Sequence, residues 1–398
     1  MIQTGLQVLL QEKISLLIKQ RVGLITNPTG VTRDLRSNVD ALRAAGVIVT
    51  ALFGPEHGFA ASAADGAAVA SSREARTGLP VHSLYGKIRK PTREMLADVD
   101  VLLFDLQDVG VRFYTYTATL GLALEACKEH GVPLIVLDRP NPINGDTIEG
   151  AVLDPGLQSF IGHGPIPIRY AMTLGELAQF YNHELHIGAE LTVIGMRGWD
   201  RAMWYDETGL TWVSPSPGIP NFSTTITYPG ICFVEGTNLS EGRGTALPFE
   251  IVGAPWLDGY ALAESLNALK LDGVIFRATQ FTPCSSKYAG VECFGVQLHV
   301  TDRDAFRAVE TGLHVIAAAR AQNPPRFEFL GSSWEEPALT VRLSLTVPKG
   351  RSPHFDLLAG TTRERAGLIA QEPVSALTAA WVADIAPYDA KRKKYLMY

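Results

Sequence analysis

Apolar residues in the first half of the chain come in short unbroken runs, and each run gives way to a polar cluster. Residues 21–26, 47–53, 100–105, 132–138 and 191–196 read as strands. Runs of this length, apolar on both faces, belong to a parallel sheet covered on both sides. Between them the spacing changes to that of a helix. Over residues 32–45, Leu35, Val39, Leu42 and Ala45 share one face and Gly46 ends the pattern. Residues 117–130 form a second helix stopped by Gly131, and a short helix is expected at 92–97. Residues 172–185 form another, with Thr173 as N-cap and Glu176 as its capping-box partner. Alternating strands and helices predict an α/β domain built on a parallel sheet. Residues 60–72, rich in Gly, Ala and Ser, read as a loop.

The pattern breaks at residues 213–227, rich in Pro, Ser, Thr and Gly and without periodicity. The domain junction is placed there, giving domains 1–226 and 227–398. In the second half, 256–269 and 304–321 look helical, while 295–301 and 339–347 alternate as half-buried strands. This half reads as a smaller α+β domain.

Four polar clusters follow the strands of the first half: Asn27-Pro28-Thr29-Gly30, Gly54-Pro55-Glu56-His57-Gly58, Asp105-Leu106-Gln107-Asp108-Val109-Gly110 and Asp138-Arg139-Pro140-Asn141-Pro142. Loops after parallel strands emerge on one edge, where ligands bind. A core has no use for carboxylates, an imidazole and a guanidinium there, so an active site is expected. Glu56, in a turn held by Gly and Pro, suits a general acid if desolvation raises its pKa. Asp105 ends an apolar run and needs a partner, for which Arg112 and Arg139 are the candidates. Arg139 also suits an anionic group. Asn27 and Thr29 are lesser candidates. In the second half, Glu235-Gly236-Thr237-Asn238-Leu239-Ser240-Glu241-Gly242-Arg243-Gly244-Thr245 contributes Asn238, Glu241 and Arg243, and an interdomain cleft would set it opposite the first four motifs. Each cluster also has a plainer reading as ion pairs and hydrogen bonds that hold loops.

The 398 residues carry a net charge of −6, with no basic block longer than Lys391-Arg392-Lys393-Lys394, so neither nucleic acid nor an anionic membrane is an expected partner. No apolar run nears transmembrane length, and the first residues lack the pattern of a signal peptide. A cytoplasmic protein is expected, or an exported one whose leader has been removed. Of four cysteines, Cys127 and Cys232 look like core residues, while Cys284 and Cys293 could meet in a hairpin. No C-x-x-C pair, G-x-S-x-G elbow, Walker A loop, G-x-G-x-x-G or H-E-x-x-H occurs. His183-Glu184-Leu185-His186 has the wrong spacing for a metal pair and reads as surface.

Longer stretches carry a resemblance. Glu56-His57-Gly58-Phe59, Gly78-Leu79-Pro80-Val81 with Ser83-Leu84-Tyr85-Gly86, Asp105 through Tyr116, Leu137 through Pro142 and Glu235 through Thr245 together resemble the NamZ-type exo-β-N-acetylmuramidases, also called YbbC-like. The likeness runs from about Gly5 to Tyr398. It implies a Rossmann-like N-terminal catalytic domain and a smaller C-terminal α+β domain, with the active site in the cleft between them. The implied activity is release of N-acetylmuramic acid from the non-reducing end of peptidoglycan fragments, with Glu56 as catalytic acid. Ala60-Ala61 stand where the family usually carries Arg-Gly.

Glycoside hydrolysis needs an acid and a second group at the oxocarbenium-like centre. Asp105, Asp108 or Glu241 could be base or nucleophile. Alternatively the substrate's acetamido group could attack, oriented by Asn141, His57 or Tyr116. Arg112, Arg139 or Arg243 could meet the lactyl carboxylate, and Gln107, Asp138 and Asn238 complete the candidate substrate contacts. The scheme requires no cofactor or metal. Two alternatives stay open: a metal-dependent hydrolase using His57, Asp105 and Asp138, and a non-catalytic sugar- or muropeptide-binding protein. Oligomeric state is not readable from the sequence.

Overall fold

A computed structural model describes residues 2–63, 71–331 and 352–398. The expected strand at 339–347 and part of the 60–72 loop lie outside the described residues. The chain divides into two compact units, Met1–Thr147 with Tyr170–Phe222 and Asp389–Tyr398, and Ile148–Arg169 with Ser223–Tyr388.

In the first unit the strands are β1 (Arg21–Thr26), β2 (Ile48–Gly54), β3 (Ser72–Arg73), β4 (Pro80–Ser83), β5 (Val101–Asp105), β6 (Leu134–Leu137) and β7 (Leu191–Ile194). Among the described residues they form one sheet in the order β3-β4-β2-β1-β5-β6-β7. All neighbours are parallel except β3 with β4. The order arises because the chain starts in the middle, winds outward one way through β2 and β4, then returns beside β1 to build β5, β6 and β7. The strand side chains Leu24, Leu52, Leu103 and Leu137 are buried in one cluster with Leu6 and Leu42. Each such side chain contributes about 1.5–3 kcal/mol on burial.

The helices of this unit follow the sequence pattern with one instructive difference. Tyr116–His130 ends where Gly131 turns left-handed, at φ 68°. Leu174–Glu184 carries the expected Thr173/Glu176 capping box. The helix expected over 32–45 is shorter, Asn38–Ala44. Residues before it form a turn in which Thr32 N–H donates to Arg36 O at 2.9 Å, and Leu35 is left-handed and 51% exposed. Ser37 decides the start, because its Oγ accepts from Asp40 N–H. The short helix expected at 92–97 is a single turn closed by Leu96 N–H on Thr92 O.

The second unit holds β8 (Ile251–Ala254), β9 (Val274–Phe281) and β10 (Cys293–Val300), an antiparallel sheet in the order β8-β10-β9. Helices Gly259–Ala268 and Ala308–Gln322 match the expected ones to within a few residues. The aperiodic stretch 213–227 hides the start of a further helix, Phe222–Ile231, whose threonines and internal Pro229 carry no helical signature. Cys284 is exposed and Cys293 buried, and neither is in a disulfide. No helix among the described residues is long and apolar enough to cross a membrane.

Candidate active site

β2, β1, β5 and β6 are consecutive, parallel strands, so the four polar motifs leave the sheet at the same edge. Hydrogen bonds then tie the loops together. The Asn27 carboxamide oxygen accepts from Thr29 N–H and Oγ1 at 3.0 and 2.6 Å, and its Nδ2 donates to Tyr116 Oη at 2.6 Å. The Tyr116 hydroxyl donates onward to Pro215 O. Thr29 Oγ1 accepts from Gln107 N–H, and Gln107 Nε2 donates to Asp108 O and Pro140 O.

Asp105 is fully buried and clamped. Its Oδ1 accepts from Arg139 Nε at 2.6 Å, and its Oδ2 accepts from Asn38 Nδ2 at 2.7 Å and Arg139 Nη2 at 3.2 Å. Arg139 is therefore the partner that a charge at the end of an apolar strand demands. Arg112, the other candidate, is fully buried, with its own carbonyl accepting from Thr117 Oγ1. Arg139 also lines a groove with Thr29, Val31, Gln107 and Tyr205.

Asp138 anchors rather than opens. Its oxygens accept from Thr173 Oγ1 at 2.7 Å, Gly175 N–H at 2.8 Å, Tyr398 Oη at 2.7 Å and Arg139 N–H at 3.1 Å. A Cβ on Gly175 would lie 2.7 Å from the Asp138 carboxyl carbon, so only glycine permits this approach. Burial pushes the Asp138 carboxyl up to about 7, against the pull of these donors. Asn141 is held likewise, donating to Met172 O and accepting from Ile143 N–H.

Glu56 and Asp108 sit closer to the aromatic part of the site. Glu56 is 2% exposed and its Oε2 accepts from Thr115 Oγ1 at 2.8 Å. The turn that presents it is strained: His57 and Gly58 are both left-handed, at φ 68° and 77°. Such a conformation costs a non-glycine residue about 1–2 kcal/mol, and strain of this kind gathers at functional sites. His57 Nδ1 lies 3.0 Å from Ala63 O, which places the ring proton on Nδ1. Asp108 Oδ2 accepts from Gly110 N–H at 2.7 Å and from the Tyr170 hydroxyl. Burial raises its carboxyl to about 6. Tyr114 and Tyr116 meet edge to face, with ring centroids 4.7 Å apart. Burial drives both hydroxyls upward, and the charges of Glu56 and Asp108 push them further. One neighbourhood thus joins two carboxyls and two phenols.

Asn238, Glu241 and Arg243 belong to the second unit. Arg243 Nη2 lies 2.7 Å and its Nε 2.8 Å from Glu235 Oε1, and Nε is 3.7 Å from Glu241 Oε1. Lys287 Nζ lies 3.0 Å from Glu241 Oε2, and His354 Nε2 3.7 Å from Glu235 Oε2. Burial would raise the Glu235 carboxyl, but Arg243 and His354 more than offset it and hold it well below the usual range. The Asn238 carboxamide is spent on backbone, donating to Arg326 O and accepting from Glu328 N–H.

The sequence reading did not single out Asn38, Thr115, Tyr170, Thr173 and Tyr398 as parts of the site. Thr115 lies inside a quoted motif and Thr173 was seen as a cap, but Asn38, Tyr170 and Tyr398 give no local signal because their partners are 67, 62 and 260 residues away. For the metal alternative, the oxygens of Asp105 and Asp138 are already taken by protein donors. Among the described residues no three His, Cys, Asp or Glu side chains group as a metal site.

The chain matches the family model for the N-terminal part of the exo-β-N-acetylmuramidase NamZ over residues 22–223 and that for its C-terminal part over 226–398. It belongs to the NamZ family. A Bacillus subtilis (strain 168) relative, described as peptidoglycan β-N-acetylmuramidase NamZ, is 47% identical over all of this chain and 91% of its own length. Two crystal structures of DUF1343 family proteins from Bacteroides fragilis NCTC 9343 share the fold across all of this chain and 99% of theirs. Their TM-scores are 0.88 and 0.78, at 38% and 29% identity.

Proposed function

We propose that this protein is an exo-acting glycosidase that releases N-acetylmuramic acid from the non-reducing end of peptidoglycan fragments. The relative described as a peptidoglycan β-N-acetylmuramidase supports the substrate class. The observation that carries the chemistry is Glu56: a buried carboxyl on a strained turn at a strand end, in hydrogen-bond contact with Thr115.

In this reading Glu56 protonates the leaving glycosidic oxygen. Asp108 is the second carboxyl. Its pKa near 6 suits a group that exchanges protons at neutral pH, and Tyr170 fixes its orientation. Asp105 takes no chemical part, since Arg139 and Asn38 occupy both its oxygens; it holds Arg139 in place. Arg139, facing the groove beside Gln107 and Thr29, meets the lactyl carboxylate of the substrate. Tyr116 and Asn27, each already hydrogen-bonded within the protein, brace the loops around the sugar, and His57 positions it.

The test is hydrolysis of a chromogenic β-N-acetylmuraminide beside the corresponding β-N-acetylglucosaminide. Release from the muraminide alone is expected, falling about 10³-fold in Glu56→Gln, the scale of a lost general acid. Wild-type protein that leaves the muraminide intact would end this reading. Turnover by Glu56→Gln within a few-fold of wild type would remove Glu56 from the acid role.

A further inference from the structure

The second unit carries a cleft of about 750 Å³ that the chemistry above does not use. It lies between the segment 255–258, the start of helix Gly259–Ala268 and strands β9 and β10. Its lining combines three aromatic rings, Trp256, Tyr260 and Phe294, with Arg277 and Arg326. Tyr260 is 79% exposed, although it is a large ring in the first turn of a helix. Leaving such a ring in water forgoes burial energy that a core-facing position would have gained. Trp256 and Phe294 are half-buried and can offer their edges or faces without collapsing inward.

The charges in the cleft point the same way. Arg277 and Arg326 are exposed. The one acidic lining residue, Asp258, is committed to the helix cap, its Oδ1 accepting from Tyr260 and Ala261 N–H. Two guanidiniums against one carboxylate leave the lining with one excess positive charge, on a chain whose net charge is −6. Two guanidiniums are too few for a polyanion such as nucleic acid, which needs a row of phosphate contacts. They suit a mostly neutral ligand that carries an occasional carboxylate, while the rings suit the apolar faces of pyranoses. The volume lies within the range of ligand pockets.

We propose that this cleft of the second unit is a glycan-binding site that takes a carboxylate-bearing amino-sugar chain, with residues other than those assigned to hydrolysis. Rings of Tyr260 and Trp256 stack on sugar faces, and Arg277 and Arg326 pair with lactyl carboxylates. The choice of glycan rests on the muramidase reading. The cleft would hold the protein on polymeric substrate while the first unit trims chain ends.

The test is retention of the full-length protein on washed, insoluble peptidoglycan sacculi, with chitin as the matched chain that lacks the lactyl carboxylate. Tyr260→Ala and Arg277→Gln, both at exposed positions, are measured beside wild type, and chromogenic muraminide turnover is followed in the same preparations. Wild type is expected to bind sacculi more strongly than chitin. Each variant is expected to lose about tenfold in affinity for sacculi, the effect of removing one anchoring side chain, while muraminide turnover stays within twofold. Retention of both variants equal to wild type would overturn the proposal, as would equal binding of wild type to chitin and sacculi. A parallel fall in muraminide turnover would overturn it as a separate site. If wild type fails to hydrolyse the muraminide, the activity reading falls, yet the sacculus retention of wild type and variants still decides the cleft.

Discussion

Two regions of the molecule bury carboxylates in opposite ways: the pockets of Asp108 and Asp138 in the first unit and the Glu235 cluster in the second. In the first, Asp108 and Asp138 are surrounded by neutral donors: the hydroxyls of Tyr170, Thr173 and Tyr398 and the N–H groups of Gly110 and Gly175. Burial wins, and both carboxyls rise, to about 6 and about 7. In the second, Glu235 and Glu241 face Arg243, Lys287 and His354, and Glu235 is held low. Nearby, Asp356 accepts both arms of Arg365, at 2.7 and 2.8 Å. Neutral donors steady a carboxyl without fixing its charge, so it can still take up or release a proton. Cations fix the charge and turn the carboxylate into a brace. The contrast separates carboxyls that can still titrate near neutral pH from those whose charge is fixed, and it is invisible in the residue types themselves.

The sharpest way to break this comparison is to remove the cation. Arg243→Leu leaves Glu235 and Glu241 with a missing partner, and a loss of about 3 kcal/mol is expected in urea unfolding. An unchanged midpoint would mean that the brace is not one. Tyr398→Phe removes a single neutral donor from Asp138. It should cost about 1 kcal/mol and drive the Asp138 carboxyl still higher, as followed by carboxyl titration in NMR. A downward shift would contradict the account.

Linkage gives these two sets of carboxyls opposite pH signs. Asp108 and Asp138 bind more protons folded than unfolded between about pH 4 and 7, so their contribution to stability falls as pH rises through that window. Glu235, held low, contributes above its ordinary value near 4.5 and loses that contribution as pH falls. Asp108→Asn should therefore gain on wild type from about pH 4 to about pH 6 in denaturant midpoints and level off above; parallel curves would refute the assignment. The smallest effect is expected at Ala61, which is left-handed at φ 49° without being glycine. Ala61→Gly should stabilise by up to about 1 kcal/mol, the relief of left-handed strain less the added freedom of the unfolded chain, read as a small rise in Tm. A fall in Tm would show that the side chain packs better than its backbone suffers.

Strands β1, β2, β5, β6 and β7 were legible because each lies in a short, mainly apolar run, and the helices Tyr116–His130 and Leu174–Glu184 because each carries its own stop or cap. The edge strand β3 and its neighbour β4 were not, because β3 is two residues long and β4, Pro80–Ser83, is no apolar run. Nor was the helix Phe222–Ile231, where threonine and proline mask the period. The helix start at Asn38 was misjudged because Leu35 fits the apolar face by spacing, whereas the Ser37 cap and the reach of Asn38 to Asp105 set the boundary.

By itself the sequence determined the α/β character of the first half and the edge of the sheet at which chemistry gathers. It also placed Glu56, Asp105, Asp108 and Arg139 in one neighbourhood, because hydrophobic period and loop position are local properties of the chain. Only the tertiary structure decided which partners each carboxylate meets. Those partners are brought from far along the chain, Arg139 for Asp105, Tyr170 for Asp108, Tyr398 for Asp138 and Thr115 for Glu56. A carboxyl's charge and reach are set by burial and by the donors aimed at it, and both come into being only when the chain folds.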